Sequence, residues 1–159
     1  MTKVENIETL LNLKNKKLLG VKYFDKKENY DDCFLELKFS DSYRLIIQTF
    51  WRILYKRRVI AMESERYLLT NYNAPKKNYK NLPFEKSLLC KNLKVVNKKI
   101  LNALVEDIYI NETNDVIINF DNSLTIQALI SCRSNSYIYY RLFCGEQEVC
   151  KVSLDWSVI

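Results

Sequence analysis

The stretch Leu35-Glu36-Leu37-Lys38-Phe39-Ser40-Asp41-Ser42 decides the fold. Leu35, Leu37 and Phe39 alternate with Glu36 and Lys38, and a period of two is what a strand with one buried face requires. Ser40-Asp41-Ser42 then predicts a tight turn, because short oxygen-bearing side chains bond nearby backbone groups. Tyr43, Leu45 and Ile47 resume the alternation on the far side. The segment therefore reads as an antiparallel hairpin with an apolar inner face.

The same pattern returns about 81 residues later as Val116-Ile117-Ile118-Asn119-Phe120-Asp121-Asn122-Ser123, followed by Leu124, Ile126 and Ala128. Three further blocks match in the same order. Asn15-Lys16-Lys17-Leu18-Leu19 pairs with Asn97-Lys98-Lys99-Ile100-Leu101. Trp51-Arg52-Ile53-Leu54 pairs with Tyr140-Arg141-Leu142-Phe143, and Ile60-Ala61 with Val149-Cys150. One insertion near residues 131–139 absorbs the change of offset. Ordered self-similarity of this kind predicts an internal duplication, with repeats over about 1–75 and 84–159 joined by a linker at 70–83.

Each repeat reads as a helix plus four antiparallel strands. In the first, Thr2-x-x-Glu5 has capping-box spacing before Val4, Ile7, Leu10 and Leu11, and predicts a helix. Residues 84–93, just after Pro83, take the equivalent place. Strands are expected over Leu18–Phe24 and residues 100–110, and later hairpins turn at Lys56-Arg57-Arg58 and at Cys144-Gly145-Glu146-Gln147. One such unit leaves a sheet face wet, whereas two packed together bury it. The fold class expected is α+β, mainly antiparallel β: one domain of two repeats, in a two-sheet or Whirly-like arrangement.

Composition narrows the chemistry. The chain has 159 residues, five cysteines and no histidine. Without histidine there is no Ser/His/Asp or Cys/His nucleophile pair, and most zinc sites are excluded. The reading is of a protein with no catalytic residues, no metal and no cofactor; carboxylate or tyrosine chemistry in a cleft between the repeats stays open as a third reading. The odd cysteine count without CxxC spacing favours reduced thiols in a cytoplasm. Neither a signal peptide nor a membrane span is expected.

Charge is uneven. Residues 1–80 carry 17 Lys/Arg against 10 Asp/Glu, and residues 81–159 carry 8 against 9. A basic first half suits a polyanion or an acidic protein surface, the alternative being a solvated lysine-rich exterior. Three places break the repeat symmetry and are the candidate partner-binding residues. Lys56, Arg57 and Arg58 form a basic hairpin tip whose counterpart holds Glu146 and Glu148, and such a tip can grip carboxylates or phosphates. Tyr72, Lys76, Lys77, Tyr79 and Lys80 interleave rings and cations, as single-strand binders do, although linkers of this composition are often only solvated. Arg133, Tyr137 and Tyr139 lie in the insertion, where tyrosines supply either interface area or plain packing on the sheet. Asp31-Asp32 and Glu106-Asp107 read as solvated acids.

A small duplicated β-rich chain carrying Phe39-Ser40-Asp41-Ser42 and Trp51-Arg52, echoed by Phe120-Asp121-Asn122-Ser123 and Tyr140-Arg141, resembles the cytoplasmic immunity proteins of bacterial contact-dependent growth inhibition and polymorphic toxin systems. That resemblance implies stoichiometric binding to a cognate toxin domain, with no chemistry of its own. The alternative is single-stranded nucleic-acid binding, for which the arrangement is similar to the Whirly fold. That family's lysine–glycine-rich motif is missing, and Asn15-Lys16-Lys17 is a faint substitute.

Overall fold

The hairpin expected at Leu35–Ile47 is present in the computed structural model, which describes residues 2–25, 33–69, 82–130 and 138–154. Eleven strands form two antiparallel sheets. The first half supplies β1 (Thr2–Glu5), β2 (Leu18–Phe24), β3 (Phe34–Phe39), β4 (Tyr43–Ile47), β5 (Phe50–Tyr55) and β6 (Arg58–Met62). The second supplies α1 (Leu88–Lys99), β7 (Val105–Ile110), β8 (Val116–Phe120), β9 (Leu124–Leu129), β10 (Ile138–Cys144) and β11 (Gln147–Leu154). One sheet has the order β1-β11-β10-β4-β3-β2, the other β6-β5-β9-β8-β7.

Neither half builds a sheet alone. Each gives three consecutive strands to one sheet and a hairpin to the other, so the halves exchange hairpins, and the first half adds β1 beside β11. The seams have matching registers. Trp51, Ile53 and Tyr55 lie opposite Ala128, Ile126 and Leu124, and Tyr140, Leu142 and Cys144 lie opposite Ile47, Leu45 and Tyr43. Bulges also correspond, between Ile53 and Leu54 and between Leu142 and Phe143. A local dyad runs through the bridge between Lys17 and Leu104. There Leu18 N–H donates to the Ala103 carbonyl at 3.0 Å and Val105 N–H to that of Lys16 at 2.9 Å.

Apolar alternation explains what lies between the sheets. Leu35, Leu37, Phe39, Leu45 and Ile47 face Trp51, Ile53, Ile118, Phe120, Leu124 and Ile126 in one buried cluster, joined by Tyr140 and Leu142. The flanks are closed crosswise. α1 packs on β2 and β6 of the first half, and the 3-10 helix Ile7–Leu13 packs on β7 and β11 of the second.

Three expectations are corrected. Thr2–Glu5 is not a helix start but a strand paired with β11. Asn6 then turns left-handed at φ 53°, and Ile7, Leu10 and Leu13 recur every three residues, which suits a 3-10 helix. In the second half a 3-10 turn, Phe84–Lys86, precedes α1, whose Ser87 hydroxyl accepts from Cys90 N–H at 3.1 Å as an N-cap. The match of Asn15 with Asn97 fails because Asn97 lies inside α1. The residue in Asn15's place is Asn102, both being left-handed, at φ 64° and 62°.

Trp51 is 1% exposed, so Trp51→Ala should lower the unfolding free energy by about 3–5 kcal/mol in urea titrations. Leu101, at 77% exposure, should tolerate alanine within about 0.5 kcal/mol.

Candidate functional site

The connection between β5 and β6 is two residues long, Lys56 and Arg57, with φ of 49° and 65°. A two-residue hairpin turn whose twist matches its strands needs such left-handed backbone and favours glycine or asparagine. The corresponding connection between β10 and β11 obeys this, with Gly145 at φ 60°. A Cβ there would meet nothing within 4 Å, so backbone conformation alone asks for glycine. Both turns are anchored alike: Lys56 N–H donates to Ser123 O at 3.1 Å and Gly145 N–H to Ser42 O at 2.9 Å. The first half therefore places two long cations where the backbone penalises a side chain by about 1–2 kcal/mol each.

Two cations, Lys56 of this turn and Lys99, gather around one ring. Lys56 Nζ lies 5.5 Å from the Tyr55 ring centroid, and Lys99 Nζ, from the last turn of α1, lies 4.1 Å from it. Asn122 Nδ2 donates to Lys99 O at 2.7 Å, tying the helix end to the β8–β9 turn. Arg58 opens β6 and is exposed. Beside the turn lies a groove of about 540 Å³, walled by Lys56, Arg57, Glu106, Asn119, Asp121, Ser123 and Thr125, with Phe120 and Leu124 at its base. Asp121 Oδ1 accepts from Leu104 N–H at 3.0 Å, and Thr125 Oγ1 donates to Asn119 Oδ1 at 3.0 Å. The groove thus offers both charge signs on a fixed frame.

The outer sheet faces differ sharply. Across the six-stranded sheet one row reads Lys22, Glu36, Ile46, Arg141, Lys151 and Glu5, and the next Gly20, Lys38, Arg44, Phe143 and Glu148. The corresponding rows of the five-stranded sheet read Tyr109, Ile117, Gln127, Arg52 and Met62, then Asp107, Asn119, Thr125, Leu54 and Val59. These two rows of the first face carry five cations and three carboxylates, those of the other one of each. On the charged face Glu36 is 4% exposed and pairs with Arg44 at 3.3 Å and Lys38 at 3.7 Å. Phe143 lies 5.2 Å from the Arg44 guanidinium and 5.4 Å from that of Arg141, and Phe24 stacks on Phe34 at 4.7 Å.

Buried polar groups serve packing. Arg66, 5% exposed, pairs with Asp25 and donates through Nη1 to Leu82 O at 2.9 Å. Burial pushes the Tyr23 and Tyr140 hydroxyls well above the ordinary phenol range, and Tyr140 donates to Asn114 O at 3.0 Å. Burial also pushes the Cys150 thiol up to about 11, leaving it protonated and inert near neutrality. Among the described residues, no three His, Cys, Asp or Glu side chains stand together to hold a metal ion. No helix there is long and apolar enough to cross a membrane.

Of the residues singled out from sequence, the structure brings Lys56, Arg57 and Arg58 together at the turn. Tyr72, Lys76, Lys77, Tyr79, Lys80, Arg133 and Tyr137 lie outside the described residues, as do Asp31 and Asp32. Tyr139 is corrected: it is 8% exposed and part of the core. Its carbonyl accepts from Gln48 N–H at 2.8 Å and Thr49 N–H at 3.1 Å, so it follows the packing alternative. Glu106 lines the groove while Asp107 Oδ1 accepts from its neighbour Ile108 N–H at 2.9 Å. Sequence reasoning missed Lys99 and Asp121 as site residues. Lys99 had been assigned to the approach of a strand, and Asp121 only to a turn. Comparison with protein families, with curated proteins and with solved structures finds no match.

The backbone cost at the turn can be measured. Lys56→Gly should raise the unfolding free energy by about 0.5–1 kcal/mol, and Gly145→Lys should lower it by about 1 kcal/mol, in urea titrations followed by tryptophan fluorescence.

Proposed function

We propose that the chain is a non-catalytic binding protein of the immunity type, which neutralises a cognate toxin domain in the cytoplasm by stoichiometric binding. One observation carries this reading. The two halves correspond residue for residue at their seams, yet their outer surfaces have diverged in charge, in apolar content and in the residues of the β5–β6 turn. A rigid sandwich whose inner positions repeat and whose outer ones do not has the form of a scaffold that presents a surface to a partner. The same correspondence supports an origin by duplication.

A protein partner suits these surfaces better than a single nucleic-acid strand. Base stacking needs free ring faces, whereas Phe143 is flanked by Arg44 and Arg141, and Phe24 is stacked on Phe34. Glu36 and Glu148 also lie among the cations, where they would oppose a run of phosphates. A positive surface with embedded carboxylates matches a mixed, net-acidic protein patch, and opposite fields of this kind speed and orient encounter.

The test is co-expression with the product of the adjacent upstream gene, followed by size-exclusion chromatography with light scattering. A 1:1 complex is expected, with an association rate that falls as salt rises. Separate elution of the two proteins would reject the reading. Retardation of a single-stranded oligonucleotide at low salt, with no protein complex, would put the nucleic-acid alternative in its place.

A further inference from the structure

The β5–β6 turn poses a specific problem. Both of its residues, Lys56 and Arg57, are left-handed, whereas the β10–β11 turn is left-handed only at Gly145, in the place of Lys56, and has Glu146 in the place of Arg57. Residues kept in a disfavoured conformation point to a use for their side chains. No fold requirement explains them, since the equivalent turn closes with the same backbone bond to the neighbouring turn.

We infer that the Lys56–Arg57 turn and the groove beside it hold a short polar segment of the partner protein, one that carries a carboxylate flanked by hydrogen-bond donors. This rests on the protein-binding reading above and gives it a site. Lys56 and Arg57 are exposed, and Lys56 stands with Lys99 at the Tyr55 ring, so a carboxylate arriving at the turn meets the ammonium of Lys56 and the fork-shaped guanidinium of the next residue. Glu106 and Asp121 on the groove wall accept from amide or cationic groups of the same segment. They also discriminate, because a polyphosphate laid along the groove would meet both carboxylates. Asn119, Ser123 and Thr125 supply neutral polar contacts, and a volume of about 540 Å³ falls in the range of ordinary ligand clefts.

The six-stranded sheet shows that the fold does not demand this chemistry. In place of Lys56 and Arg57 it has Gly145 and Glu146, Leu19 stands where Glu106 does, and Ser40 where Asp121 does. The acidic pair and the basic pair are thus present together at one end of the five-stranded sheet, and not at the equivalent end of the six-stranded one.

The experiment is calorimetric titration of the purified upstream toxin domain into the wild-type chain and into the double variant Lys56→Gly/Arg57→Gly. Glycine is what the turn prefers, so the variant keeps its fold, and a urea midpoint at or above wild type verifies this. The expected result is a complex with wild type and at least tenfold weaker binding by the variant. A complex that the variant forms as tightly as wild type overturns the inference and leaves the protein-binding reading standing. Absence of a complex with the wild-type chain rejects both. A fluorescent 20-nucleotide single strand that binds wild type and is lost by the variant also overturns the inference, since the occupant of the turn would then be a nucleic acid.

Discussion

The exchange of hairpins between the two halves is the constraint on which the rest of the structure depends. β4 completes its sheet by pairing with β10, and β9 completes the other by pairing with β5. Without those seams, each half would expose the edge of a three-stranded ribbon and a detached hairpin, with apolar faces open to water. With them, every inner side chain contributes to one core. Trp51 and Tyr140, at corresponding seam positions, are among its largest fully buried members. The crosswise docking of α1 and of the 3-10 helix Ile7–Leu13 closes the two flanks by the same logic.

Such interlocking leaves the exterior free to change. A register fixed by alternating inner residues holds whatever occupies the outer positions, because a slip by one residue would turn the whole apolar set to water. One sheet can therefore carry Lys22, Lys38, Arg44, Arg141 and Lys151 while the other carries Tyr109, Asn119, Thr125, Arg52 and Met62. The dyad also collects the turns at residues 40–42 and 121–123 near the Lys17–Leu104 bridge, where Ser40 N–H and Asp121 N–H donate to Lys17 O and Leu104 O. Charge placed at those turns becomes one continuous surface feature.

Much of this could be read from the residues. Alternation in Leu35–Phe39 and its echo in Val116–Phe120 carried the antiparallel strands, because period two has a direct physical cause. Trp51 and Tyr140, matched by their offset, lie at corresponding register positions of the two seams. Other features were not legible. Thr2–Glu5 looks helical by spacing, and its strand state is set by β11, some 150 residues away. The Asn-Lys-Lys similarity at residues 15 and 97 has no structural echo, since Asn97 lies inside α1, whereas Asn102 shares both the residue type and the left-handed backbone of Asn15. At the site, the basic turn stood out in sequence, but its groove did not. Glu106, Asp121 and Lys99 come from three separate elements, and only the tertiary fold brings them beside Lys56. Tyr139 shows the converse: a tyrosine in a polar stretch, yet the second residue of the seam strand β10 and buried.

If the seams bind both halves together, the sandwich unfolds as one cooperative unit. Native-state amide hydrogen exchange, measured as a function of urea, tests it most directly. The amides of Leu45, Leu142, Ile53 and Ile126 are expected to exchange only by global opening, with equal free energies and equal urea dependence. Exchange from one half at a distinctly lower free energy, while the other stays protected, would contradict it.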